Sequence, residues 1–115
     1  MRRGDIVWVN FDPARGSEAK KRRPAVVVSN DGANRVAAQL GRGVVTVVPV
    51  TTNTKKVYAF QVLLPARRCQ MARASKAQAE QIRSVAVERV GAVAGHVPPD
   101  LLEQLDAAIR LHLAL

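Results

Sequence analysis

At 115 residues, with eighteen Lys or Arg against nine Asp or Glu and a formal charge of +9, the chain fits one small domain over 1–115 with a polyanionic partner. A domain of this size buries roughly two-thirds of the surface its unfolded chain exposes. The lone cysteine, Cys69, excludes an intrachain disulfide, and no apolar run approaches the length of a membrane span.

Met1 to Asp5 turns polar too soon for a signal peptide, so a cytoplasmic protein is expected. Ile6 to Phe11 forms a first strand with large apolar groups on both faces, closed by Asp12-Pro13. A long polar loop follows to Arg23, and Ala25 to Ser29 is a second, buried strand. Asn30-Asp31-Gly32 signals a turn and helix start, with a short helix over Ala33 to Leu40 that Gly41 and Gly43 break. Val44 to Val50 is a third strand, where Pro49 suggests an edge or a bulge. Tyr58 to Leu64 is a fourth, stopped by Pro65, and Ala66 to Ser75 has the composition of a mobile loop holding a neutral thiol at Cys69. Local propensity in Lys76 to Ile82 favours helix. Val90 to Val97 makes a last strand. Pro98-Pro99-Asp100 opens a helix to Leu115 whose apolar side is Leu101, Leu102, Leu105, Ala108, Ile109 and Leu113, with His112 on that side as a core or interface residue. Short strands and one terminal helix describe an α+β domain on a curled sheet.

The charge is lopsided. Residues 1–76 hold fifteen basic and four acidic groups, whereas residues 77–115 hold three and five. A binding face therefore belongs to the first two-thirds. Within it, Arg23 precedes Pro24 at the mouth of a buried strand, inside the cluster Lys20-Lys21-Arg22-Arg23. Proline fixes its own φ and holds the preceding residue extended, which presents a guanidinium to a phosphate. His96 and His112 have no ligand partner at metal spacing, and no Walker or dinucleotide glycine pattern is present. Arg23, Glu18, Thr51, Thr52 and nearby lysines suit phosphodiester chemistry on RNA, where the substrate's 2′-hydroxyl can be the nucleophile and the protein positions groups, moves protons and stabilises charge. Glu18 is a candidate base; pairing with Lys20 or Arg22 to close its loop is the alternative.

Three stretches carry a resemblance. Asp5-Ile6-Val7-Trp8-Val9-Asn10-Phe11-Asp12-Pro13 followed by Gly16-Ser17-Glu18 and Arg22-Arg23-Pro24-Ala25-Val26-Val27-Val28-Ser29 resembles the opening of the MazF/PemK (Kid) toxins. Val48-Pro49-Val50-Thr51-Thr52 resembles their second motif and Glu80-Gln81-Ile82-Arg83-Ser84 their third. The likeness runs in order along essentially the whole chain. It implies a small SH3-like β-barrel with a short helix insert and a C-terminal α-helix, assembled as a homodimer, with residues 76–84 a strand against their local propensity. It also implies a cofactor-free, metal-independent endoribonuclease that cuts single-stranded RNA at short sequences, leaves a 2′,3′-cyclic phosphate and a 5′-hydroxyl, and inhibits translation. A cognate antitoxin would lay an acidic disordered tail over the basic groove.

Carried across residue by residue, the resemblance makes Arg23 and Thr51 catalytic and puts Glu18 at an acidic position lining the site. A guanidinium is very hard to deprotonate, which assigns Arg23 to charge stabilisation. Lys20, Lys21, Arg22, Thr52, Asn53, Lys55, Lys56, Arg73, Gln81 and Arg83 are the expected RNA-binding residues. Asn10 replaces a carboxylate found in some members, and Ala74, beside Arg73, stands where the family often has aspartate, so the cut site is not transferable. Two other classes compete: a catalytically silent RNA-binding module, and a gyrase-directed toxin on the same barrel. Neither needs Arg23, Glu18 and Thr51 together.

Overall fold

Valine-rich strands with apolar side chains on both faces organise the molecule, which is described from a computed structural model at every residue except Ala14 and Lys20. In chain order, β1 spans Asp5–Asn10, β2 Arg22–Val27, α1 Asp31–Leu40, β3 Val44–Thr51, β4 Gln61–Leu64, β5 Ser75–Gln78, β6 Arg83–Ala86, β7 Val90–His96 and α2 Pro99–Leu113. Short 3-10 turns occupy Ala79–Gln81 and Val87–Arg89. The strands pair antiparallel in the order β4-β5-β3-β2-β1-β7, and β6 also pairs with β3. The fold is thus a mixed α+β one, a seven-stranded sheet with two helices. Its order is open, with β4 and β7 at the ends and no pairing between them among the described residues.

Alternation along β1 feeds two cores. Ile6 joins Val26, Val48, Val50, Leu64 and Leu105 of α2 on one face. Val7, Val9 and Phe11 join Ala25, Val27, Val45, Val47 and Ala37 of α1 on the other. The first strand is covered on both sides, as its sequence requires. Local chemistry sets the helix ends. Asn30 caps α1, its side chain accepting from the Ala33 N–H at 2.8 Å, and Gly41 closes it at φ 63°. Pro99 starts α2, where a missing N–H costs nothing.

Pro49 is not at an edge. It lies in β3, paired with Ala25 of β2, and β3 is the most shared strand of the sheet. The Val28 N–H donates to Thr46 O, so the alternation of the antiparallel ladder makes Ala25/Pro49 a pair without mutual hydrogen bonds. The nitrogen of Pro49 then faces the other side of β3. There β6 pairs only with Val44–Val47 and β5 only with Val50 and Thr51, so no ladder donor is missed.

Three further expectations give way. Lys76 to Ile82, whose local propensity favours helix, forms no α-helix, and the strand that the resemblance implies over 76–84 is split: β5 and β6 flank the 3-10 turn Ala79–Gln81, with Ala77 and Ala79 small enough to be buried completely against the core. The segment from Ala66 to Ser75, expected as a mobile loop, is tied down. Cys69 is fully buried, its N–H donates to Pro65 O, its carbonyl accepts from His96 N, and Met71 N donates to Ala66 O. His112, expected as a core or interface residue, is not core: it is exposed together with Leu113, because the helix packs through Leu101, Leu105 and Ala108 and the partly buried Leu102 and Ile109.

Candidate active site

The functional residues gather where β2 begins and β3 ends. Arg22 and Arg23 open β2 opposite Asn10 and Val9 of β1, and Pro24 lies opposite Trp8. Thr51 ends β3 opposite Lys76 of β5. The β2–β3 ladder ends at Ala25/Pro49, and Arg23 and Thr51 each lie two residues beyond it, so both stand at the same end of the two strands. Arg23 is half-buried and engaged with its surroundings in the fold. Thr51 Oγ1 accepts a 3.3 Å bond from the Asn53 N–H, which leaves its hydroxyl hydrogen available to a ligand.

Glu18 sits in the loop between β1 and β2. The loop is closed at its base by Phe11 N donating to Lys21 O and Lys21 N to Asp12 Oδ1. Gln81, from the 3-10 turn after β5, holds the middle: its Oε1 accepts from Ala19 N at 3.1 Å and its Nε2 donates to Ser17 O at 3.0 Å. Among the described residues the ion-pair partner of Glu18 is Arg83, at 4.0 Å, not Arg22, and the Arg83 guanidinium lies 5.6 Å from the Phe11 ring centre. Glu18, Gln81, Ile82 and Arg83 line a small cleft with Glu80. Gln81 and Arg83 thus stand beside Glu18, and Gln81 spends its amide on backbone.

The loop after Thr51 carries Thr52, Asn53, Lys55 and Lys56, all of them exposed. Asn53 Oδ1 accepts from Lys55 N, and Lys56 O accepts from the Nζ of Lys76 at 2.6 Å. Lys56 and Lys76 both lie over Tyr58, whose ring stacks on Phe60 at 5.3 Å. Lys76 is only 8 % exposed yet touches no carboxylate; it is an anchor for this loop that the sequence did not reveal, since its burial depends on the loop folding back. Lys21 and Arg22 are exposed, and Arg22 stacks 5.5 Å from the centre of Trp8. Beside it, Arg89 donates to Asn10 O and Asp12 O. The expectation at Lys20 falls on a residue outside those described.

Arg73 borders a different concavity. Trp8, Pro24, Val50, Met71 and Ala94 give this space of about 280 Å³ largely apolar walls, and Thr51 and Arg73 stand at its border. Trp8 and Met71 were missed as site residues, although Trp8 lies within the first motif. Among the described residues, no three His, Cys, Asp or Glu side chains gather as a metal-holding group. No described helix is long and apolar enough to cross a membrane.

Away from this end, Arg68 and Asp100 form a two-bond pair at the start of α2, at 2.6 and 2.9 Å. The Arg68 hydrogen bond holds the Asp100 carboxyl below the usual carboxylate range. Burial pushes the Cys69 thiol up, so at neutral pH it is a protonated core group and not a loop nucleophile.

The profile of the family described as PemK-like, MazF-like toxin of type II toxin–antitoxin systems matches residues 2–113. The chain belongs to this toxin family. Its MazF-like character extends to individual relatives. It is 61 % identical to endoribonuclease MazF9 of Mycobacterium tuberculosis over 115 residues, covering all of this chain and 98 % of that one. It is 38 % identical to the endoribonuclease toxin MazF of Escherichia coli over 94 % of this chain and 89 % of the other. Among solved structures, MazF of Deinococcus radiodurans superposes with a TM-score of 0.82 at 30 % identity, covering all of this chain and 97 % of that one. A MazE–MazF structure from the same organism gives 0.74 at 27 % identity, with 100 % and 96 % covered. These matches bear out both the family and the enzyme class expected from the sequence.

Proposed function

We propose that this MazF-like chain is the toxin of a toxin–antitoxin pair and cuts single-stranded RNA by attack of the substrate's own 2′-hydroxyl. What supports the proposal is that Arg23, near the start of β2, and Thr51, at the end of β3, lie at one end of the sheet, each two residues beyond the Ala25/Pro49 pair, in a family whose curated relatives are endoribonucleases. In this reading a phosphate lies between them. Arg23 donates to its non-bridging oxygens and offsets the charge that grows as the 2′-oxygen bonds to phosphorus. The hydroxyl of Thr51, its lone pair already engaged by Asn53 N, donates to the same group. Glu18, steadied by Gln81 and facing Arg83, accepts the 2′-hydroxyl proton, and the P–O5′ bond breaks with a proton delivered to O5′. The products are a 2′,3′-cyclic phosphate and a 5′-hydroxyl, and loss of messages inhibits translation.

The basic residues Lys21, Arg22, Lys55 and Lys56, with Thr52 and Asn53, would track the RNA backbone. The partner proposed for the same surface is a cognate antitoxin with an acidic disordered tail, in line with the MazE–MazF structure of the Deinococcus relative. A single domain over 1–115, a homodimer, a cytoplasmic location and an SH3-like barrel as the type of this open sheet belong to the same proposal.

The test is incubation of the purified protein with defined single-stranded RNAs in EDTA, beside Arg23→Ala, with the fragment ends determined. Discrete fragments ending in cyclic phosphate, absent with Arg23→Ala, are expected. Intact RNA that nonetheless binds tightly would make the chain a silent binding module, and DNA breakage with intact RNA on expression would make it a gyrase-directed toxin.

A further inference from the structure

In the sheet order β5 lies between β3 and β4, so the segment 52–60 that joins those two strands has to cross β5. It crosses without regular structure, and Lys55, Lys56, Val57, Tyr58 and Ala59 are all exposed. Among the described residues, the one backbone–backbone bond made between Asn53 and Phe60 comes near the end, from Gln61 N to Tyr58 O. A segment with few buried apolar contacts and few backbone bonds opens readily unless side chains hold it. Here two do.

Lys76 stands on β5 where the crossing passes. It pairs with Thr51 of β3 on one side and with Leu63 of β4 on the other, and it is buried. Its Nζ donates to Lys56 O at 2.6 Å and lies 5.8 Å from the centre of the Tyr58 ring. Gln61, the first residue of β4, grips the far end: its Oε1 accepts from Tyr58 N at 3.2 Å, and its Nε2 donates to Glu80 Oε2 at 2.8 Å. The buried polar or charged side chains described are Asn34, Gln61, Ser75 and Lys76, so half of them hold this one crossing. A cation between two strands, with no carboxylate partner among the described residues, is costly to bury. An apolar side chain would fill the position without that cost. What the lysine adds is its grip on the Lys56 carbonyl.

Resting on the ribonuclease reading above, we infer that Lys76 is a positioning residue for RNA: it fixes the crossing over β5 in the shape that presents Lys55 and Lys56 to the RNA backbone, and touches no RNA itself. Its Nζ is covered and engaged, whereas the two loop lysines are exposed. The bond falls on the carbonyl of Lys56, which sets the direction in which that side chain leaves the loop. Charges ordered in the free protein meet RNA already placed, so less ordering remains to be done on binding. Thr51 keeps its place through β3, and Lys76 therefore governs binding more than turnover.

The experiment uses the full chain. Lys76→Met keeps the length of the side chain and removes the donor; Lys76→Leu does the same if the methionine variant does not fold. Lys76→Arg keeps a donor, and Arg35→Met, exposed on α1, is the control for loss of one positive charge. Three properties are measured: exchange of the Lys55 and Tyr58 amides without RNA, KM and kcat on a single-stranded RNA, and the salt dependence of binding to that RNA methylated at every 2′-oxygen, which cannot be cleaved. Lys76→Met is expected to speed exchange about tenfold. It should also raise KM about tenfold with kcat within about twofold, and lower the slope of log affinity against log salt by about one to two. Lys76→Arg should stay near the wild type, and Arg35→Met should leave exchange and KM unchanged.

Unchanged exchange in the apolar variants overturns the grip, as does a wild-type Tyr58 amide that exchanges as fast as in an unfolded chain. Faster exchange with KM and the salt slope unmoved overturns the role in binding. So does an equal rise in KM with Arg35→Met, which would reduce the effect to net charge. A fall in kcat at constant KM also overturns it, placing Lys76 with the reacting groups. A wild type that neither binds nor cuts RNA overturns the ribonuclease reading instead, while amide exchange in the variants still reports the grip.

Discussion

Gln81 fixes Glu18 through the backbone on either side of it, accepting from Ala19 N and donating to Ser17 O. A loop of polar residues has few apolar contacts to hold it, so this two-bond clamp sets where a carboxylate in it can stand. Gln81→Leu removes both bonds while keeping the volume. It is expected to lower stability by about 1–2 kcal/mol in urea unfolding. Amide exchange at Ala19 should accelerate, and cleavage should fall through mobility of Glu18. Unchanged exchange at Ala19 would refute the clamp.

The proposed sharing of one phosphate by Arg23 and Thr51 predicts different sensitivities at the two positions. Arg23→Ala is expected to slow single-turnover cleavage by roughly 10²–10³-fold, the scale for losing a charge-stabilising donor. Thr51→Ser should keep most of the rate, because the hydroxyl persists, whereas Thr51→Val should lose it with little change in thermal stability. Equal rates for the serine and valine variants would remove the hydroxyl from the chemistry.

Gly95 of β7 predicts a packing defect near the pocket. A Cβ there would collide with Cys69 O and come within 2.8 Å of Met71 Cγ. Backbone cannot move aside as a side chain can, and the carbonyl concerned also accepts from His96 N. Gly95→Ala is expected to destabilise the fold by about 1–3 kcal/mol, measured as a lowered unfolding midpoint. An unshifted midpoint would mean the turn at Cys69 yields freely.

The Arg68–Asp100 pair gives the pH prediction. The folded-state pKa of Asp100 is lowered, chiefly by its hydrogen bond from Arg68. Its contribution is therefore complete above the pKa of aspartate in the unfolded chain and is lost as pH falls through the lower folded value. Both groups are about half exposed, which keeps the effect small. Asp100→Asn should be slightly less stable than the parent at pH 7, and the difference should close below the ordinary aspartate range. A difference that persists in strong acid would have another origin.

Strands β1 to β4, β7 and both helices were legible because their signals are local. Alternating valines, the Asn30 cap, Gly41 and the double proline at 98–99 act within a few residues. What was not legible depended on distant partners. Pro49 is accommodated only because β5 and β6 leave a gap opposite it. The stretch 76–84 takes the form of strand, 3-10 turn and strand because Ala77 and Ala79 are buried in the core, against their own propensity. The motif residues Arg23, Thr51 and Glu18 could be named from the sequence, and Arg23 and Thr51 stand near strand ends while Glu18 lies in the loop before β2. Lys76, Met71 and the clamping role of Gln81 could not be, since nothing nearby in sequence says what a lysine, a methionine or an amide will face after folding.

The turn at Cys69 has a consequence for how such proteins diversify. Between Pro65 and Ser75 the fold holds on through the buried Cys69 and its two backbone bonds, the Arg68–Asp100 pair, the bonds of Gln70 to Arg67 and Met71 to Ala66, and the packing of Met71 against the core. Gln70, Ala72, Arg73 and Ala74 point into no core and are exposed. These residues are an exchangeable cassette on a fixed socket: new side chains can be tried at them without jeopardising folding, while Cys69 and Gly95 stay put.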